Sequence, residues 1–225
     1  MPVNFIQIHN WNISTSEARQ IQNELAGKVD RNNRIDKIKF IAGIDVGFDL
    51  KRKISRSAIA VLSYPELELI EFAKAEIETV FPYIPGLLSF REIPVIIEAL
   101  KKIKKIPDVI LCDGQGIAHP RRFGLACHIG VLTDIPTIGV AKSRLIGEYE
   151  SLELEKGSMV SLKSGSEIIG KVIRSRTNVK PLFISVGHKV DLDKCLEIVL
   201  NCLTKYRLPE TTRWAHKLAS ALPNK

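Results

Sequence analysis

The chain has 225 residues, of which 45% are hydrophobic and 26% charged, and its formal net charge is +8. That apolar share supports a packed core and excludes a disordered polyelectrolyte, while no apolar run nears the ~18 residues of a membrane span. The first eleven residues lack the basic-then-apolar order of a secretory leader, and the basic excess favours polyanionic partners: nucleic acid, anionic lipid or a phosphorylated substrate.

In chain order, Ser14 to Val29 reads as a helix, opened by a Ser14/Glu17 capping box and striped by Ala18, Ile21, Leu25 and Val29. Three strands are predicted next, Lys39 to Val46, Ser57 to Ser63 and Leu67 to about Ile77, with short turns that imply antiparallel pairing. A stiff loop, Phe81-Pro82-Tyr83-Ile84-Pro85-Gly86, precedes a helix over Leu87 to Lys105, with Pro94 starting or kinking its main part. Asp108 to Cys112 and Pro136 to Val140 are short strands around a helix over Arg122 to Leu132, an order that implies parallel pairing. Glu167 to Arg174 and Pro181 to Val186 form a predicted hairpin, followed by helices over Asp191 to Tyr206 and Thr211 to Leu222. Met159 to Ser166 carries no motif, and the role of residues 151–180 stays open. The chain therefore reads as one α/β domain over 1–225. Its mixed sheet has three antiparallel strands leading into parallel ones and flanking helices, the ribonuclease H-like architecture. The four cysteines, Cys112, Cys127, Cys195 and Cys202, form no CxxC pair; Cys195 and Cys202 fall on an apolar helical stripe, and a reduced cytoplasmic protein is expected.

Three acidic residues stand out. Asp45 lies in the otherwise apolar Phe40-Ile41-Ala42-Gly43-Ile44-Asp45-Val46, where an ionised carboxylate is costly unless paired or bound to a cation; alone it reads equally as a strand-end turn residue. Asp113 closes Val109-Ile110-Leu111-Cys112 at a strand's carboxyl end, where open α/β sheets bind ligands; an ordinary Asp-Gly turn is the alternative. Glu92 sits between Phe90 and Ile93 near a helix start, and by itself resembles any solvated helix glutamate. Together the three offer only hard oxygen ligands, suited to Mg²⁺ or Mn²⁺ rather than zinc, and such a site can activate water and neutralise charge on a phosphodiester. His216 is offset from the face shared by Trp214 and Leu218, so it is either a surface histidine or a cleft-facing acid/base group, with His119 and His128 competing for that role. Arg121, Arg122, Lys142 and Arg144 follow the parallel strands on the edge of Asp113, placed to hold a phosphate backbone.

Taken together, the segments Ala42-Gly43-Ile44-Asp45-Val46, Phe81 to Gly86 with Phe90-Arg91-Glu92, Asp113-Gly114-Gln115-Gly116-Ile117-Ala118-His119-Pro120-Arg121, Gly139-Val140-Ala141-Lys142-Ser143 and Arg213-Trp214-Ala215-His216 closely resemble the endonuclease V family, in the same order over nearly the whole chain. Gly47 departs from the pattern, standing where a small hydroxyl residue is expected. The resemblance implies a ribonuclease H-like fold and a Mg²⁺-dependent repair endonuclease, with Mn²⁺ as a substitute, acting on DNA that contains deoxyinosine. It further implies a nick at the second phosphodiester 3′ to the lesion, leaving 3′-hydroxyl and 5′-phosphate ends. By the same resemblance, Asp45 and Asp113 bind metal and Glu92 completes the acidic cluster. His216 and Lys142 position the water and the scissile phosphate. Tyr83, flanked by Pro82 and Ile84, is the wedge that fills the gap left by a flipped base, and His119 and Arg121 join it on the DNA. Gly114, Gly116, Gly124 and Leu125 surround the base pocket. An inosine-specific ribonuclease and a ribonuclease H-type nuclease without lesion specificity are the alternatives. A monomer with no membrane association is expected.

Overall fold

The computed structural model describes residues 3–220. Helix α1 (Thr15–Ala26) starts at the expected capping box: the Ser14 hydroxyl accepts from the Glu17 amide at 3.3 Å, and the Glu17 carboxylate accepts from the Ser14 amide at 2.7 Å. It ends at Ala26, three residues short of the predicted end, with Gly27 as its C-cap. Strands β1 (Phe40–Asp49), β2 (Ile54–Ser63) and β3 (Leu69–Glu78) form an antiparallel meander. The β1–β2 ladder extends beyond the predicted strands to the pair Asp49↔Ile54. The charged residues that make this end resemble a loop neutralise one another across the strands, since Arg56 bridges Asp49 at 3.6 Å and Glu76 at 3.1 Å.

Helix α2 (Leu88–Leu100) runs through Pro94 and ends before the Lys101–Lys105 segment that was predicted to continue it. Next come β4 (Val109–Cys112), α3 (Leu125–Thr133) and β5 (Thr137–Ala141), with β1, β4 and β5 parallel, as the strand–helix–strand order implies. All nine residues of α3 are buried, in keeping with a helix that is apolar all round. Strands β6 (Met159–Ser164), β7 (Glu167–Ile173) and β8 (Leu182–His188) complete the sheet, and β8 runs antiparallel to β5. The predicted β7–β8 pairing is present, and β6 adds an edge strand that the sequence reading did not assign. Only Leu162 of β6 is buried, so it has almost no apolar alternation to read. Helices α4 (Leu192–Asn201) and α5 (Glu210–Ser220) close the described chain; positions 221–222 of the predicted last helix lie outside the described residues.

The eight strands form one mixed sheet in the order β3-β2-β1-β4-β5-β8-β7-β6. This is the expected ribonuclease H-like arrangement, an antiparallel trio joined to parallel strands with helices on both faces. Alternation along the central strands feeds two cores: Ile41, Leu62 and Leu111 point to the α4/α5 side, and Ala42, Ile44 and Ile110 to the α2 side. The four cysteines are free and buried. No helix among the described residues is long and apolar enough to cross a membrane.

Candidate active site

The pleat that sends Ile41 and Gly43 toward α5 sends Asp45 the same way. Gly43 sets how closely that helix approaches, because a Cβ there would lie 2.2 Å from the carbonyl carbon of Thr211. The close approach carries His216, one turn further along α5, to Asp45: its Nδ1 stands 3.2 Å from Asp45 Oδ2. With the Nδ1 proton donated to the carboxylate, Nε2 is left free, and the imidazole is 58% exposed. His216 thus faces the cleft, the second of the two orientations open to it in the sequence.

Asp113 follows directly on β4, beside Asp45, and pairs with the ammonium of Lys142, which follows directly on β5. Burial holds the Asp113 carboxyl above the usual carboxylate range, the Lys142 charge opposes this, and the Asp45 carboxylate adds to the rise. Glu92, only 7% exposed, reaches the same place from α2. Its pKa is pushed up to about 8, first by burial and then by the charges of Asp113 and Asp45, with Arg91 opposing. The glutamate that resembled a solvated helix residue is therefore buried against two aspartates. Asp45, Glu92, Asp113, Lys142 and His216 all line one cavity of about 410 Å³.

The chemistry of this donor set fits a hard divalent cation. It is all oxygen, and burial together with the neighbouring carboxylates holds Glu92 and Asp113 back from ionising, which a bound cation would offset. Among the described residues no three His, Cys, Asp or Glu side chains are grouped closely enough to hold a metal ion together. An aspartate pair that leaves room for water and substrate oxygens suits Mg²⁺, which is commonly held by one or two carboxylates.

A second cavity of about 340 Å³ adjoins the first, and Asp113, Leu125 and Lys142 line both. Gly114, Gly124, Tyr83 and Ile84 also line it. Gly116 does not: it is packed against β8, where a Cβ would meet the Val186 carbonyl oxygen at 1.9 Å. Its amide is held by the Ser185 hydroxyl at 2.8 Å, so it anchors the loop after β4 beneath the cavity.

The ring of Tyr83 is 69% exposed at the cavity rim, next to exposed Pro82, while Phe81 is buried and Ile84 packs partly against the same cluster. The loop is fastened at Gly86, whose backbone turns at φ +79. Its carbonyl accepts from Gln22 Nε2 at 3.0 Å, His119 Nε2 at 2.9 Å and Arg121 Nη2 at 2.9 Å. His119 is buried, and burial lowers its pKa to about 4, so the ring is neutral; Nδ1 accepts from the Arg121 amide and Nε2 donates to Gly86. Arg121 also donates to Gln22 Oε1 at 2.6 Å. His119, which also lines this second cavity, and the half-buried Arg121 both brace the Tyr83 loop through these hydrogen bonds. Arg122 is paired with Glu167 at 2.8 Å and Arg144 with the Gly147 carbonyl at 3.1 Å. His128 is fully buried between Ser89 and His9, away from the acidic cluster.

Sequence reasoning missed two supporting residues. Gln22 is a buried polar group between the apolar positions of α1, a faint signal. Arg207 donates to the carbonyls of Lys142 at 2.7 Å, Pro181 at 2.8 Å and Lys180 at 2.8 Å, tying the ends of β5 and β8 to the segment that leads to α5. No periodicity marks it.

A mixed sheet with one aspartate within β1 and another just past β4, a buried helix glutamate and adjacent cations around the carboxyl ends of β4 and β5 defines the class of hydrolytic nucleases with ribonuclease H-like folds. The endonuclease V family model matches residues 23–217. An endonuclease V of Rippkaea orientalis is 56% identical over 207 residues, which cover 92% of this chain and 90% of that protein. The crystal structure of endonuclease V from Streptomyces avermitilis superposes with a TM-score of 0.88 at 42% identity, covering 98% and 96% of the two chains. The Ciona intestinalis endonuclease V, in complex with a 23-mer DNA containing an inosine followed by a ribo-adenosine, superposes with a TM-score of 0.81 at 32% identity, covering 92% and 97%. The chain belongs to the endonuclease V family, and it is a nuclease.

Proposed function

We propose that this protein is a Mg²⁺-dependent endonuclease that recognises deoxyinosine in DNA and cuts the same strand at the second phosphodiester on the 3′ side, leaving 3′-hydroxyl and 5′-phosphate ends. The observation that carries the reading is the common wall of Asp113 and Lys142 between an acidic cavity and a second cavity rimmed by an exposed, braced tyrosine. One cavity suits a phosphate with its counter-cation and the other a single extruded base. The relative crystallised with inosine-containing DNA supports the choice of substrate.

Asp45 and Asp113 would hold the divalent ion with Glu92 behind them, and Mn²⁺ would serve in place of Mg²⁺. When bound, the ion supplies Lewis-acid stabilisation of the charge that develops on the phosphodiester. Asp45 orients His216 through Nδ1, so that Nε2 can accept a proton from the attacking water or hold that water in line. Lys142 would steady the scissile phosphate, exchanging Asp113 for a phosphate oxygen. Tyr83 would stack into the gap left by the flipped nucleotide, and the braced loop limits the entropy lost on insertion. Backbone groups at Gly114 and Gly124, with Leu125 across the base plane, would read the hypoxanthine edge. Hypoxanthine carries a carbonyl where adenine carries an amine, so a pocket matched to one leaves a buried group unpaired with the other, at about 1–3 kcal/mol per group. The four buried free cysteines support a reducing, cytoplasmic setting, and the protein would act as a monomer with a single catalytic domain.

Labelled strands carrying a single inosine, as DNA and as RNA, incubated with protein and Mg²⁺ test the reading. A single nick in the DNA, immediately 3′ of the nucleotide that follows the lesion and absent from the adenine control, is expected. Equal cutting of the adenine control would reject lesion recognition, and preferential cutting of the RNA would reassign the substrate.

A further inference from the structure

Outside the two cavities of the candidate active site, Lys156, Arg176, Thr177, Thr204 and Lys205 line a shallow cavity of about 270 Å³ with no carboxylate in its wall. Five of the twelve other arginines are neutralised by carboxylates: Arg31 and Arg122 by Glu167, Arg34 by Asp30, Arg56 by Asp49 and Glu76, and Arg213 by Glu210. Among the described residues, Lys156, Arg176 and Lys205 form no ion pair with a carboxylate. Glu210, which feels the charge of Lys205, is already taken by Arg213 at 2.8 Å and by the Thr204 hydroxyl at 2.6 Å. Three cations around one hollow repel one another, and an anion seated between them relieves that repulsion. The Thr177 hydroxyl accepts from the Lys156 amide at 3.2 Å, which leaves its own proton free to donate.

The hollow is also held in register with the catalytic cleft. Ser175, next to Arg176, donates to the Arg207 carbonyl at 2.7 Å, and the Arg207 guanidinium grips the Lys142 carbonyl at 2.7 Å. Lys205 lies two residues before Arg207. A short hydrogen-bonded path therefore joins the hollow to the cation beside Asp113. Its open, cationic wall suits one phosphate group of a long polyanion better than an enclosed organic ligand.

We propose that the Lys156/Arg176/Lys205 hollow is a second phosphate-binding site, which takes the backbone of the nucleic-acid strand outside the stretch that occupies the catalytic cleft. The proposal rests on the nuclease reading, and its substrate is the same strand. All three residues are exposed, so their replacement should leave the fold intact, checked by thermal melting.

The test compares wild type, the triple variant Lys156→Glu/Arg176→Glu/Lys205→Glu and a control variant, Lys37→Glu/Lys39→Glu/Lys105→Glu. The control carries the same charge change at the opposite ends of β1 and β4. Binding to a long inosine-containing duplex is followed by fluorescence anisotropy across a salt series, and cleavage is measured on the same DNA. The expected result for the hollow variant is binding about 10–100-fold weaker at low salt, with a log K against log salt slope shallower by about 2–3. KM should rise while kcat is kept, and the control should change the slope by less than about one. A hollow variant with the wild-type slope and KM, or a control that loses as much, overturns the proposal while leaving the nuclease reading standing. A wild type that neither binds nor cuts the duplex overturns both.

Discussion

Replacing Glu92 by Gln removes a carboxyl that the fold holds at a cost. In the unfolded chain this glutamate ionises near its ordinary 4.5, whereas in the native site its pKa is about 8. Between those values the native protein binds more protons than the unfolded one, so stability falls as pH rises through the window. Each pH unit inside it costs about 1.4 kcal/mol, which makes about 3 kcal/mol between pH 5 and pH 7. For a chain of this length that corresponds to about 6–12 °C in melting temperature. With divalent cation removed by chelation, wild type should lose that much over the interval relative to Glu92→Gln, whose amide does not titrate. The variant should melt higher than wild type at pH 7 and show cleavage reduced at least about a hundredfold. Calorimetry in matched buffers at both pH values measures the first effect, and single-turnover cleavage the second. Parallel pH–stability curves for the two proteins would show that Glu92 is not buried against two negative charges, and the acidic-cluster reasoning would fall.

Tyr83→Ala should leave the melting temperature unchanged, because the ring is exposed. It should weaken binding to inosine-containing DNA by about 1–3 kcal/mol, the worth of one stacked base, as read by anisotropy against undamaged DNA. Arg121→Ala removes one donor to Gly86 and leaves Gln22 Oε1 unpartnered, so it should lower the melting temperature by a few degrees and raise KM more than it lowers kcat. Gly43→Ala forces the start of α5 away from β1; a loss of about 1–3 kcal/mol in urea unfolding should accompany lost cleavage, since His216 moves with the helix. Asp113→Asn should abolish the stabilisation that added Mg²⁺ gives wild type in thermal melts, a readout independent of turnover.

The aspartates were legible because a charge in an apolar strand or at its carboxyl end breaks a pattern. Asp45 and Asp113 each do so within five residues of local sequence. His216 was half legible: its offset from the Trp214/Leu218 face was readable, but its partner lies 171 residues away. The Gly86 hub was hidden for the same reason, since its acceptor is a backbone carbonyl and its donors lie 64, 33 and 35 residues distant. For His119 and Arg121 the motif itself was visible, but nothing local shows that both also hold the Gly86 carbonyl. Strand β6 and the β1–β2 extension escaped because pairing with a neighbouring strand, rather than burial of alternate residues, holds them.

The site combines two demands that oppose one another. Burial, and the carboxyls crowded beside them, raise the pKa of Glu92 and Asp113, so ionising both in this corner would cost the native state stability without a compensating cation. Relaxing the corner by letting α5 or the β4 loop drift would ease that repulsion, so something must resist the drift. Gly43 and Gly116 do so, each sitting where the nearest backbone comes so close that a side chain has no room. Arg207 adds three carbonyl contacts at the mouth of the cleft. The supports are backbone contacts and buried hydrogen bonds, which hold one spacing instead of a range. A corner held that rigidly would be ready for the proposed cation before it arrived, so binding would not also have to order the ligands. Loosening the supports should therefore cost cation affinity before it costs the fold.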